Sequence, residues 1–435
     1  MTGAHIVTFG CRLNAYESEA IRARAEEAGL RNAVIVNTCA VTAEAVRQSR
    51  QAIRKLRREH PGATMIVTGC AAQIEPETYA EMPEVDQVIG NSEKLESASY
   101  RPDFLHGAER VRVNDIMMVK ETASQFVDSF DGRVRAVLQV QNGCDHRCTF
   151  CIIPYGRGPS RSVGIGAVVA EARKLVEAGF QEIVLSGVDL TSYGHDLPGE
   201  PSLGALTASL LRHVPELRRL RLSSFDAVEA DETLLRLIAD EERLLPHFHL
   251  SVQAGDNLIL KRMKRRHSRE EIIAFCAEIR RLRPEVAFGA DFIAGFPTEN
   301  EAMFQKSMDL VDEAGLSYLH VFPFSPRKGT PAAKMPQVAG DEIKARAKRL
   351  REKGVAAQAA RLQSLVGSNQ AILIEKPGLG RTPCFALVQI DADFEAGTII
   401  RARITGFYGA RVTAEMMPEG LASSASQAEQ AHAFA

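Results

Sequence analysis

An α/β fold in three parts is predicted: an N-terminal doubly wound α/β domain over residues 1–105, a central partial (β/α)6 barrel over 130–362, and a small C-terminal all-β barrel over 363–418. Three observations predict it. Short apolar runs alternate with helical patterns through the first hundred residues. A second β/α series follows from Arg133. After Val366 the pattern shifts to short alternating strands broken by Gly and Pro, which is barrel punctuation.

In the first part, His5–Phe9, Ala33–Asn37 and Thr64–Thr68 are apolar enough for buried parallel strands. Helical patterns at Ala15–Ala28 and Thr42–Glu59 separate them, the second opened by Thr42 as a cap. A further strand near Val85–Ile89 completes the sheet. Tyr100–Ser129 reads as a connector with an edge strand or two. The second series offers Val134–Val140, Glu182–Ser186, Leu220–Ser224, Phe248–Val252, Ala287–Ile293 and Tyr318–Phe322. About eight strands close a full β/α barrel, so six leave it open on one side. A charged helix, Asp341–Leu365, leads to strands at Ala371–Glu375, Pro383–Gln389, Thr398–Ile404 and Arg411–Ala414. The tail 419–435 is small and polar and is expected to be disordered.

Composition sets limits. Apolar residues make up 45% and charged residues 25% of 435, ordinary for a soluble protein. No apolar run is long enough for a membrane span, and MTGAHIVTFG lacks the features of a secretory signal, so a cytoplasmic protein with no membrane partner is expected. A net charge of −2 excludes a uniformly basic RNA binder but not local basic patches. Eight cysteines in such a chain argue for metal or redox chemistry rather than disulfides.

Cys144, Cys148 and Cys151 form C-x3-C-x2-C directly after the first strand of the second series. Three thiolates on one loop can hold three corners of a cubane cluster and leave the fourth iron open, as catalytic metal sites require. The competing reading is zinc, for which His146 is the only local fourth ligand. Cys11, Cys39 and Cys70 are far apart, yet each directly follows a predicted strand. A parallel sheet would bring all three to one carboxyl edge, the ligand crevice of such folds. The competing reading is three separate core cysteines. Cys276 and Cys384 sit in a helix and a short strand and read as core.

The C-x3-C-x-aromatic-C stretch, with Phe150 as the aromatic, resembles the radical S-adenosylmethionine (SAM) superfamily signature. That resemblance implies a [4Fe–4S] cluster on Cys144, Cys148 and Cys151 as the catalytic centre, with SAM chelating the open iron and yielding a 5′-deoxyadenosyl radical. It implies further SAM contacts: Phe150 by the adenine, Gly187 in Ser186-Gly187-Val188-Asp189 at the amino group, Ser251 and Gln253 ending the fourth strand, and Gly295 beside the adenine. Asp291 stands where the first glycine of that last motif is usual. With both cysteine sets, the whole chain is similar to the radical-SAM methylthiotransferase family. This implies a second [4Fe–4S] cluster on Cys11, Cys39 and Cys70, and a TRAM-type C-terminal barrel. Cys11-Arg12-Leu13-Asn14 and Cys151-Ile152-Ile153-Pro154-Tyr155-Gly156-Arg157-Gly158 look most like the MtaB branch, which methylthiolates C2 of threonylcarbamoyladenosine next to the tRNA anticodon. Other branches carry Gln-Met-Asn or Pro-Lys-Asn after the first cysteine and act on isopentenyladenosine or a ribosomal protein. A non-catalytic iron–sulfur RNA sensor is the alternative from another class.

The resemblance also implies partners: the tRNA anticodon stem-loop, a reducing electron donor of flavodoxin or ferredoxin type, and a sulfur donor. RNA needs cations, and Arg47–Glu59, Lys261–Arg269, Lys344–Lys353 and the alternating Arg401 and Arg403 are candidates. Phe385, Phe407 and Tyr408 are candidate stacking residues. A threonylcarbamoyl carboxylate needs a guanidinium, for which Arg157 and Arg161 are the expected residues.

Overall fold

The computed structural model describes residues 3–106, 109–119 and 134–417. Five parallel strands form the first sheet: β1 (Ala4–Thr8), β2 (Ala33–Thr38), β3 (Thr64–Gly69), β4 (Gln87–Ile89) and β5 (Val111–Arg112). Their order is sequential, with no reversal. Helices cover both faces. Helix α1 (Arg12–Glu27) packs Ile21 and Ala25 on one face beside Ile35 and Ile66. Helix α2 (Ala43–Glu59) packs Ile53 and Leu56 on the other beside Val34, Val36 and Val67. Thr42 caps α2 as expected, its hydroxyl accepting from Ala45 N at 3.1 Å, worth about 1 kcal/mol. A five-residue helix, α3 (Cys70–Ile74), leaves β3 directly. The second edge strand expected before Ser129, if present, lies outside the described residues.

Six further parallel strands make the open barrel: β6 (Arg135–Gln139), then, after a short hairpin pair β7 (Gln141–Asn142) and β8 (Arg161–Ser162), β9 (Glu182–Ser186), β10 (Arg219–Leu222), β11 (His247–Gln253), β12 (Ala287–Ala294) and β13 (Leu316–Pro323). β6, β9 and β10 pair in that order, as do β11, β12 and β13. Parallel bridges Leu220–Leu244 and Phe225–Leu250 join the two halves. No pairing closes β6 onto β13 among the described residues. Tyr16 and Ala20 of α1 join the barrel core, and α1 packs against β6, so the first sheet sits at that edge.

Strand alternation divides the barrel residues. Phe248, Leu250, Val252, Phe288, Ala290 and Phe292 point outward into the core under the helices. Their neighbours His247, His249, Asp291, Tyr318 and His320 meet one another across the lumen. His247 and Tyr318 rings lie 5.4 Å apart and His249 and His320 rings 4.4 Å apart, on strands separated by β12.

A helix, Gly340–Leu365, packs along β13 and hands Leu362 and Leu365 to the last core. That core belongs to a closed five-strand barrel of β14 (Asn369–Lys376), β15 (Leu379–Arg381), β16 (Leu387–Ile390), β17 (Ile399–Tyr408) and β18 (Arg411–Met416). Three-residue β15 has no run of its own in the sequence pattern; Gly380 fits because a Cβ there would meet Ile372 at 2.5 Å. The expected disordered tail lies outside the described residues. No described helix is long and apolar enough to cross a membrane.

Candidate functional site

The register of the first sheet aligns three strand ends. Thr8 pairs with Asn37, and Asn37 with Thr68. Cys11, Cys39 and Cys70 therefore follow neighbouring strands within two or three residues of one level. Two glycines make the turn. Gly69 has φ +97° and ψ −176°, a region closed to residues with a Cβ. A Cβ on it would strike the Thr38 backbone. Gly10, also at φ +97°, leaves the space that Cys39 Sγ approaches; a Cβ there would lie 2.6 Å from it. Asn14 ties the loops together, donating to Phe9 O at 2.8 Å and Thr38 O at 2.9 Å. Burial pushes the Cys39 thiol up to about 11, and Cys70 and Cys11 add to the push against a backbone bond from Val41.

The C-x3-C-x2-C loop meets this edge. A Cβ on Gly156 would lie 3.2 Å from Cys70 Cβ, so the chain leaving Cys151 packs directly on α3. Asn91 bridges the two, its amide donating to Gly156 O and lying 3.7 Å from Cys70 Sγ. Arg157 completes the joint. Its guanidinium donates to Glu17 Oε1 at 2.8 Å and Oε2 at 3.0 Å, to Asn14 Oδ1 at 2.7 Å and to Asn142 Oδ1 at 3.0 Å. Lys94 adds a second cation to Glu17 at 2.7 Å. Burial alone would raise the Glu17 pKa, but Arg157 and Lys94 outweigh it and hold the carboxyl down at about 2. Arg157 is 2% exposed. This corrects its expected role: it has no face left for a substrate carboxylate. Arg161 is likewise buried, donating to Pro159 O at 3.0 Å and Arg157 O at 2.9 Å.

Around the loop itself, Cys144 Sγ lies 3.5 Å from Asp189 Oδ2 and Cys148 Sγ lies 3.9 Å from Arg265. Burial pushes the Cys151 thiol up to about 12, and burial with Asp189 raises Cys144. His146 points Nε2 at Asp189, 3.0 Å away, and lies 3.8 Å from Glu229 Oε1.

The expected SAM-contacting residues fall as follows. Phe150 packs edge-on to Phe296 at 6.4 Å, beside the loop. Gly187 lies against Gln141, whose Oε1 accepts from Val188 N and Asp189 N at 2.8 and 2.9 Å. Ser251 and Gln253 are half-buried at the carboxyl end of β11, Gln253 with φ +72°. Gly295 is required for a different reason: a Cβ there would meet Ile343 of the Gly340–Leu365 helix at 2.6 Å.

At the other end of the lumen is a group the sequence reading missed. The C-terminal barrel inserts Phe385, φ +74°, beneath the strands, where it stacks on His247 at 4.6 Å. Guanidinium carbons of Arg381, Arg221, Arg135 and Arg12 lie 4.3, 5.1, 5.4 and 5.9 Å from its ring centre. Phe385 is therefore neither an exposed stacking residue nor ordinary core. Above it, Asp291 Oδ1 takes His249 Nε2 at 2.9 Å and His320 Nδ1 at 3.2 Å. Against the cost of burial, those two rings hold Asp291 down at about 2. Asp291, flagged only as a departure from a motif, is thus a lumen carboxylate.

The candidate RNA runs divide. Arg262, Arg265, Arg266 and Arg269 bind Thr298, Asp226, Glu229 and Glu313, while Lys261, Lys264 and Arg266 are exposed. Arg346 is buried against Glu299, Lys353 pairs with Asp312, and in α2 Arg47 and Arg57 pair with Glu44 and Asp86. Arg401, Arg403 and Tyr408 are exposed on β17, Tyr408 by 87%.

Residues 138–311 match the Radical SAM superfamily and residues 3–90 match the uncharacterized protein family UPF0004. The chain is 54% identical over 92% of its length to the threonylcarbamoyladenosine tRNA methylthiotransferase MtaB of Rickettsia prowazekii, covering 94% of that protein. It is 34% identical to the MtaB of Bacillus subtilis, over 78% of this chain and 76% of that one. It is also 34% identical to the tRNA-2-methylthio-N6-dimethylallyladenosine synthase of Agrobacterium fabrum, over 92% and 94%. Among solved structures, the radical SAM methyltransferase TsrM of Kitasatospora setae, with cobalamin and a [4Fe-4S] cluster bound, superposes with TM-score 0.55 at 15% identity. That match covers 77% of this chain and 74% of TsrM. At that identity the likeness speaks for the fold alone.

Proposed function

We infer what this chain does from one premise: it belongs to the radical-SAM tRNA methylthiotransferases, in the branch that acts on threonylcarbamoyladenosine. It adds a methylthio group to C2 of N6-threonylcarbamoyladenosine next to the tRNA anticodon, using SAM and two [4Fe–4S] clusters. Dimethylallyladenosine as substrate is less favoured, since that relative stands at 34% identity against 54%. A tRNA substrate implies a cytoplasmic enzyme.

The observation that carries the reading is the meeting of the two thiol trios. The Cys11, Cys39 and Cys70 edge packs on the segment that follows Cys144, Cys148 and Cys151, with Asn91 and Arg157 between them. The donor sets fit the clusters, with three thiols each. When bound, the clusters supply the reducing electron and the sulfur, and SAM supplies the radical and the methyl group. The chain's own residues do the rest. Cys144, Cys148 and Cys151 hold the first cluster at the carboxyl end of β6. Arg265 offsets thiolate charge at Cys148. Gln141 fixes the Gly187–Asp189 turn where SAM's amino group is expected. Phe150, Ser251, Gln253 and Gly295 line or shape that end of the barrel. Cys11, Cys39 and Cys70 hold the second cluster. The outer face of β17 and its neighbours contacts the anticodon arm, and a flavodoxin- or ferredoxin-type donor and a sulfur donor serve the clusters.

The test is elemental and chemical. Anaerobically reconstituted protein should carry about eight irons, and a Cys11→Ala, Cys39→Ala, Cys70→Ala variant about four, from four per cubane cluster. Nucleosides from a deletion strain should lack methylthio-threonylcarbamoyladenosine and keep its unthiolated precursor. An unchanged nucleoside profile would overturn the substrate assignment.

A further inference from the structure

The floor of the barrel lumen carries more positive charge than its own carboxylates balance. Glu182 serves three guanidiniums, Arg221 at 2.6 Å, Arg219 at 3.5 Å and Arg135 at 3.9 Å. Glu375 serves Arg381 at 2.6 Å and Arg135 at 3.0 Å. Asp291 is held by its two histidines. Arg12 remains. Among the described residues it has no ion pair and no hydrogen bond; its only recorded contact of this kind is the Phe385 ring, 5.9 Å away. Arg12 is nonetheless solvent-exposed, and Arg221, Arg381 and Asp291 are its electrostatic neighbours. An exposed guanidinium among groups that line a lumen is itself facing that lumen. A cation held against other cations, whose neighbouring carboxylate Asp291 is already taken by two histidines, is a site prepared for an anion.

Which anion follows from position. Arg12 is the residue after Cys11, so it enters the lumen from the second-cluster edge. The Cys144 loop lies at the opposite, carboxyl end of the strands from Arg135, Glu182 and Phe385, so the amino-acid portion of SAM belongs elsewhere. In adenosine C2 and C6 both flank N1 on one edge, so a base presenting C2 to the clusters keeps its N6 substituent within reach of the same edge, where Arg12 follows Cys11, and in threonylcarbamoyladenosine that substituent ends in a carboxylate. We propose that Arg12, seated on Phe385 and flanked by Arg221 and Arg381, receives the threonylcarbamoyl carboxylate and is the residue that selects this nucleoside. The inference rests on the reading above and deepens it. The planar fork of Arg12 pairs both carboxylate oxygens, and Phe385 supplies a flat apolar support for the guanidinium.

The test compares Arg12→Gln and Arg12→Lys with the parent in anaerobically reconstituted protein. Three fluorescent anticodon stem-loops are used: with threonylcarbamoyladenosine, with its methyl ester, and with plain adenosine. The parent should bind the acid more tightly than the ester or the plain RNA. Arg12→Gln should weaken acid binding by about 10- to 100-fold, leave the plain RNA unchanged, and erase the preference for acid over ester. Arg12→Lys should fall between. Iron content should match the parent, showing that Cys11 still holds its cluster. An unaltered preference in Arg12→Gln overturns the assignment. So does equal loss for all three RNAs, which would mark a phosphate contact, or indifference of the parent to esterification. Methylthiolation by the parent is scored separately: binding preference without methylthio product would overturn the reaction while leaving the Arg12 result standing.

Discussion

The two thiol trios are built in opposite ways. Cys144, Cys148 and Cys151 occupy eight residues of one loop, and their convergence is a property of local chain. Cys11, Cys39 and Cys70 span sixty residues and converge only because β1, β2 and β3 are in register. The first site survives as long as its loop is anchored. The second exists only when the sheet is complete, and its geometry depends on Gly10, Gly69 and Asn14. Local sites tolerate remodelling of the domain around them; distributed ones report on it.

Four experiments would break or sharpen that contrast. The largest effect is all-or-none. Cys148→Ala should abolish SAM cleavage, whereas Cys70→Ala should keep cleavage and lose only methylthio product, both read by chromatography of 5′-deoxyadenosine and modified nucleoside. Retained cleavage in Cys148→Ala would refute the division of labour.

Next is the joint between the sites. Glu17→Gln strands Arg157 and Lys94 as buried cations and should cost about 3–5 kcal/mol in denaturant unfolding. The Glu17 pKa is depressed to about 2, from an ordinary value of 4.5. Its stabilisation is therefore fully present above pH 4.5 and lost as pH falls toward 2. The parent's stability should fall through that window, and the variant's should fall less. Parallel pH profiles would count against the clamp.

Third, Gly69→Ala forces a Cβ against the Thr38 backbone and should cost about 1–3 kcal/mol. Its signature is selective: iron near four per chain, with SAM cleavage intact. Uniform loss of both clusters would show that the two sites are not separable. The smallest effect is expected for Asn91→Ala, which removes the bridge to Gly156 O and the oxygen that accepts from Lys94 at 2.6 Å and should cost about 1–2 kcal/mol, visible as a small drop in unfolding midpoint.

The same contrast explains what could be read from the sequence. The six barrel strands were legible because each is a period-two or continuous apolar run of ordinary length. The cluster reading of Cys144 to Cys151 rests on spacing alone. That of Cys11, Cys39 and Cys70 rests on the coincidence of three strand ends, which the register of β1 to β3 places side by side. Arg157 misled because its partner, Glu17, lies 140 positions away, and nothing in a linear run shows that two residues will bury each other. In the basic runs, Arg265 and Arg269 take carboxylates from distant elements, a pairing that a linear run likewise does not show. Arg12 entered the sequence reading only as part of the Cys11-Arg12-Leu13-Asn14 branch motif, because a lone arginine in a helix's first turn does not show which distant groups it will meet. His249, Asp291 and His320 face the lumen only through strand alternation across β11 to β13, and their meeting depends on barrel curvature.

Phe385 belongs to the third module, yet it forms the base of the chamber in the second, with Thr382 O and Pro383 O accepting from Arg221 at 3.1 and 2.8 Å. An appendage that grips RNA could be exchanged between relatives like a handle. This one cannot be swapped so simply, because a transplanted barrel brings its own floor plate. Chimaeras made at residue 366 would change the reaction vessel along with the grip, and descent should have kept the two halves changing in step.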